Sequence, residues 1–95
     1  LDLTPSEPPA VLFHGTPRAN IDSILASGLD RRRRHHVHLS PDRETAERVG
    51  ARRGDFVVFH VDAATMHADG LTFWRTDNNV WLTDAVPSSY LAPDL

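Results

Sequence analysis

The chain has 95 residues, 40% of them hydrophobic and 24% charged, with a formal net charge of −3 and no cysteine. That length suits one domain able to bury roughly two-thirds of its unfolded surface, and the composition excludes a disordered chain, a disulfide framework and a thiolate metal site. No apolar run approaches the ~20 residues of a membrane span, and residues 1–10 lack the basic-then-apolar pattern of a signal peptide, so the expectation is a soluble, cytoplasmic, monomeric protein.

Residues 1–10, with prolines at 5, 8 and 9, read as an extended linker that leads into a folded domain at 11–95. A short strand at 11–14 is followed by Gly15, by Thr16 as a helix N-cap and by Pro17 at the first helical position. Ile21, Ile24 and Leu25 mark the apolar face of that helix, Gly28 ends it, and Leu29 is expected to pack back on it. A second strand at 37–39 leads to Ser40-Pro41, which repeats the cap-plus-proline start. The helix that follows runs through Ala46 and Val49 to about Arg53, with Asp42 and Glu44 at its positive end.

The nearly continuous apolar run at 56–61 reads as a central strand. Asp62 caps a single helical turn at 63–67, and Asp69-Gly70 makes a turn before a strand at 71–74. A hairpin-like turn at 76–79 precedes a strand at 80–83, and a last strand falls near 89–91. Strand–helix alternation stops after the first half, so an α+β fold with two short helices on a split antiparallel sheet is expected rather than a doubly wound one.

Charge is unevenly spread. Residues 31–53 hold eight of the ten arginines against three acids, +5, and the remainder holds two arginines against ten acids, −8. A concentrated positive region in an acidic molecule focuses its field on an anionic partner. At its start stands RRRRHHVHLS, residues 31–40, whose guanidinium forks suit phosphate oxygens and stay charged near neutral pH. Arg34 is constrained by the strand beside it, whereas Arg31, Arg32 and Arg33 read as solvent-facing.

The five glycines form neither a GxGxxG nor a Walker loop, and no GxSxG elbow is present, which removes Rossmann, P-loop and serine-hydrolase chemistry. His36 and His38 share a strand face, and an HxH pair can ligate zinc with His14 or His60 as a third ligand. No spacing singles one out, and a hydrogen-bonding role without metal is the reading adopted. His14-Gly15-Thr16, at a strand end, can grip an anion or a polar ring edge through its N–H groups, or serve only as turn and cap. Trp81 can line a pocket beside the 76–79 turn or fill the core.

HGT at 14–16, RHHVHLS at 34–40, ETA at 44–46, VGARRG at 49–54, NNVWLT at 78–83 and VPSSYL at 86–91 stand in one order and spacing. That ordered set resembles the C-terminal, NAD-binding lobe of the KptA-type RNA 2′-phosphotransferases, a branch of the ADP-ribosyltransferase fold, over nearly the whole domain. The resemblance implies that an internal RNA 2′-phosphate, as on spliced tRNA, attacks the nicotinamide ribose of NAD. The ADP-ribosylated RNA then resolves to a free 2′-hydroxyl and ADP-ribose 1″,2″-cyclic phosphate.

By position, the resemblance gives Arg34 and His38 catalytic roles. It gives NAD-binding roles to His14, Gly15 and Thr16, to His38, Leu39 and Ser40, and to Asn78, Val80 and Trp81. Val80 falls where many protein-modifying relatives carry Glu, and Asn79 replaces a common glycine. The family's upstream lobe, with an Arg-His pair and a further Arg for the RNA phosphate, has no counterpart in these residues. The expected readings are therefore an NAD lobe whose RNA-binding lobe lies elsewhere, a stand-alone ADP-ribosyltransferase acting on nucleic-acid ends or another acceptor, or a non-catalytic NAD or ADP-ribose module.

Overall fold

The computed structural model describes residues 3–95, and every strand pairing among them is antiparallel. One sheet has the order β1 (Leu12–Pro17), β4 (Phe56–Val61), β8 (Leu91–Pro93). A second has the order β3 (Val37–Leu39), β6 (Trp81–Thr83), β5 (Phe73–Arg75). β2 (Leu29–Asp30) pairs with β7 (Ala85–Val86). The α-helices are α1 (Ile21–Ser27), α2 (Arg43–Ala51) and α3 (Ala63–Ala68), with 3-10 turns at Arg18–Asn20 and Ser88–Tyr90.

The two larger sheets trap one core between them. Side-chain alternation puts Leu12, His14 and Thr16 on one face of β1, opposite Val61, Phe59 and Val57 of β4. Leu12, Val57, Phe59 and Val61 join Val37, Leu39, Phe73 and Trp81 in a continuous buried cluster, closed by Ile24, Leu29, Ala63, Met66 and Val86. The other face of β1 carries α2. Gly15 makes that contact possible, because a Cβ there would lie 1.9 Å from the Ala46 carbonyl oxygen. Gly50 meets it from the helix, its own Cβ position 3.3 Å from the Gly15 Cα.

The sheets are joined at Phe13 and Ser40, whose N–H and C=O groups exchange two 2.8 Å hydrogen bonds. That link explains one departure from expectation, and the β1–β4 pairing explains another. Ser40 spends its backbone on the bridge and does not cap. Asp42 does so instead, its carboxylate accepting from the Thr45 N–H at 2.9 Å and from the Thr45 hydroxyl. Nor does Thr16 cap a helix. β1 continues through Thr16 and Pro17, paired with Val57 and Phe56, and Pro17 stands at a strand end on the sheet edge, where its missing N–H is tolerated.

Further boundaries moved. The turn after Asp62 extends to six residues, so three helices stand where two were expected. The strand expected at 71–74 lies at Phe73–Arg75, and the one near 89–91 is a 3-10 turn followed by β8. α2 ends at Ala51, short of Arg53. Leu25, expected on the apolar face of its helix, is 44% exposed because α1 reaches the core through Ile24, and Val49 is 42% exposed because α2 meets β1 through Ala46 and Gly50. Residues 3–10 run beside β5: Pro5 bridges Trp74, the Ser6 N–H donates to the Phe73 carbonyl at 2.9 Å, and Pro8 is buried.

Candidate functional site

The bridge between the sheets brings together residues far apart in the chain. His14, on β1, donates from Nδ1 to the carbonyl oxygen of His38, on β3, at 3.2 Å. His38 in turn donates from its Nδ1 to the His36 carbonyl at 3.1 Å. A carbonyl only accepts, so these bonds assign both rings the Nδ1–H tautomer and leave each Nε2 as an acceptor.

Both imidazoles are held below the ordinary histidine range. For His14 burial is the largest cause, followed by the bond to His38, which opposes it, and then the Arg34 charge. For His38 burial again comes first and the Arg34 charge second. Both rings are thus neutral near pH 7, beside a guanidinium that is permanently charged. Arg34 is exposed and ends a turn in which its N–H donates to the Arg31 carbonyl at 2.8 Å. Arg32, inside that turn, has φ +50° and is steadied by its N–H bond to Asp30.

The other expected residues divide. His38 pairs with Leu82, and one position beyond the Leu39–Trp81 pair come Ser40 and Val80. Alternation puts His38, Ser40, Val80 and Leu82 on one face of the sheet, with Val37, Leu39, Trp81 and Thr83 on the buried face. Leu39 at 1% exposure and Trp81 at 6% are core side chains, so only their backbones can touch a ligand. Gly15 is turned toward α2, and the buried Thr16 hydroxyl accepts from the Asn20 side chain at 3.1 Å. Asn78 is exposed in the turn before β6, beside Asn79 at φ +62°.

Among the described residues no group of three His, Cys, Asp or Glu is placed to hold a metal, and no helix is long and apolar enough to cross a membrane. One surface depression lies between residues 5–7 and 70–73, and another is lined by Val11, His60 and Tyr90; neither includes His14, Arg34 or His38. Sequence reasoning missed two residues near this group. Gly50 packs α2 against β1 behind His14, and Trp74 rests its ring against His36. The second follows from the sheet order, in which β3 with its HxH and β5 with Trp74 lie on either side of β6.

This geometry meets an independent line of comparison. Residues 1–85 match the sequence model of the RNA 2′-phosphotransferase, Tpt1 / KptA family. The chain belongs to that family.

Its relatives include a protein of Rhizobium leguminosarum bv. trifolii, 54% identical over 95 residues, which are 99% of this chain and 52% of that protein. One from Streptomyces griseus is 58% identical over 91 residues, 96% of this chain and 48% of its own length. A third, from Nostoc punctiforme, is 53% identical over 91 residues, 96% and 50%. All three carry the name "Probable RNA 2′-phosphotransferase". The chain spans about half the length of the curated relatives it matches.

Proposed function

We propose that residues 11–95 form the NAD-binding, ADP-ribosyltransferase-like part of an RNA 2′-phosphotransferase. The enzyme moves an internal RNA 2′-phosphate to NAD, with release of nicotinamide and ADP-ribose 1″,2″-cyclic phosphate. Family membership supports the transferase class. The observation that carries the reading is the placing of two neutral, Nδ1-tethered imidazoles beside the guanidinium of Arg34, which has no ion-pair partner among the described residues.

That set of groups fits the proposed ligands. The free Nε2 atoms of His14 and His38 are acceptors aimed away from their carbonyl tethers, and sugar hydroxyls are donors. A neutral ring keeps that lone pair, and the nearby Arg34 charge helps it do so. When bound, NAD supplies an ADP-ribosyl group whose bond to nicotinamide is activated for displacement. The chain's share is positioning and charge. His14 and His38 orient hydroxyls, while Arg34 holds the phosphate and stabilises the charge that builds on it. A phosphate is already ionised at neutral pH, so the apolar Val80 removes no base the reaction needs. Ser40, fixed by its bridge to Phe13, adds a hydroxyl on the His38 face.

The test is to incubate the chain with NAD and a 2′-phosphorylated RNA and to separate the products. Cyclic ADP-ribose phosphate supports the proposal. Stable ADP-ribosylation of a nucleic acid or protein points instead to a stand-alone ADP-ribosyltransferase, and NAD binding without turnover to a binding module.

A further inference from the structure

We propose that the outward face of the β3-β6-β5 sheet, at Trp74 and His36, is a stacking platform for a nucleobase of single-stranded RNA adjoining the 2′-phosphorylated nucleotide. The inference rests on the RNA reading above and goes beyond it, by assigning the neighbouring base to a defined surface.

The register sets the geometry. His38 pairs with Leu82 and Leu82 with Trp74, so the three stand in one row across the sheet and on one face. Two strand spacings separate His38 from Trp74, about 10 Å. His36 lies two residues before His38 on the same face, and its ring packs on Trp74 with centroids 5.0 Å apart and planes tilted by 55°. Leu82 between them is buried at 6% exposure, so the surface offered is that of the two rings.

The two tryptophans differ in a telling way. Trp81 is a core residue, whereas Trp74 is partly exposed and lies outside the core cluster, on the same face as His38. Core packing therefore accounts for all of Trp81, whereas part of the Trp74 side chain remains open to solvent.

The surrounding charge selects the occupant. Among the described residues Arg31, Arg33 and Arg34, which precede His36, and Arg75, which follows Trp74, have no ion-pair partner. All four are exposed, against the exposed carboxylates Asp77 and Asp84 on the flanking turns. Aromatic rings on a sheet, bordered by uncommitted guanidinium groups, form a surface on which unstacked bases lie while phosphates meet the cations. A duplex keeps its bases stacked on each other and gains nothing from the rings.

The experiment compares RNA affinity by fluorescence anisotropy for the unmodified chain, Trp74→Ala and Trp74→Phe. The probes are a short 2′-phosphorylated RNA and the same oligonucleotide made abasic at each adjoining position in turn. The expected result is about tenfold weaker binding for Trp74→Ala, near-parental binding for Trp74→Phe, and NAD affinity unchanged in both. With the unmodified protein, one abasic position should reproduce that loss, a result independent of how the variants fold. Equal affinity for intact and abasic RNA overturns the platform while leaving the 2′-phosphotransferase reading in place. Parallel loss of NAD and RNA binding in Trp74→Ala also overturns it, by making the ring a wall of the NAD site. Failure of the unmodified chain to bind NAD, or to prefer 2′-phosphorylated over plain RNA, overturns the underlying reading and the platform with it.

Discussion

Six of the eight arginines that form one basic stretch in the sequence, those of the turn before β3 and those of α2, fall into two regions of opposite character. On α2 the charges answer each other: Arg43 pairs with Glu47 and Asp94, Arg48 with Glu44 at 3.0 Å, and Asp42 caps the helix. At the turn leading into β3 only Arg32 meets a carboxylate, at 3.8 Å from Asp30. Arg31, Arg33 and Arg34 are exposed without one among the described residues. The sequence already places all three acids of that stretch, Asp42, Glu44 and Glu47, at α2. The difference is that a helix offers i,i+4 partners and a turn does not, so the turn's cations stay available to an outside anion.

The contrast can be broken most severely on the scaffold side. Gly15→Ala sets a methyl against backbone at Ala46, and a loss of about 3 kcal/mol or more is expected from urea unfolding. An unchanged midpoint would contradict the close approach of β1 and α2.

The next effect belongs to the turn. Arg34→Ala should lower transferase turnover about 100-fold with NAD affinity and melting temperature unchanged, while Arg48→Ala, which loses the exposed pair with Glu44 and a bond to the Thr45 hydroxyl, should leave all three near parental values. Equal losses in the two variants would erase the distinction.

A subtler effect lies in pH. The folded values of His14 and His38 sit below their ordinary 6.5, so between the folded and ordinary values the unfolded chain binds more protons. Stability should therefore fall as pH drops through about 6.5 and level off beneath the folded values. His14→Gln should flatten part of that slope in melts run from pH 7.5 to 5.

Asp42→Ala, at the helix cap, should give the smallest change, a modest drop in melting temperature at neutral pH. The cap bonds hold Asp42 below its ordinary 3.8, so its contribution is present above that value and lost as pH falls through the lowered one. A drop that persists unchanged in acid would show that the carboxylate is not what matters.

Local pattern predicted much of the architecture, and tertiary context decided the rest. The apolar run at 56–61 is β4, and Gly28, at φ +77°, ends α1 where expected. Asn79 at φ +62° occupies the turn that its side chain tolerates. Thr16 and Ser40 were misread because cap residues and strand residues look alike until the partner strand is known. Leu25 and Val49 fit an apolar helical face, but nothing local says that α2 docks through its small residues. The candidate site was less legible still. His14 and His38 stand 24 residues apart, and no spacing rule connects them. Resemblance to a family named them together, and the structure adds the hydrogen bond between them.

The reciprocal bond pair at Phe13 and Ser40 has a mechanical consequence. Each bridge residue neighbours or is itself a candidate ligand contact, so those two bonds act as the rivet of a two-jawed clamp, with His14 on one jaw and His38 on the other. Opening the rivet would part the imidazoles before either sheet unravels. At alkaline pH, where intrinsic exchange outruns reclosing, the amide protons of Phe13 and Ser40 should therefore exchange with deuterium at the rate at which the clamp opens, and that rate sets the upper limit for any ligand that must pry the jaws apart to enter.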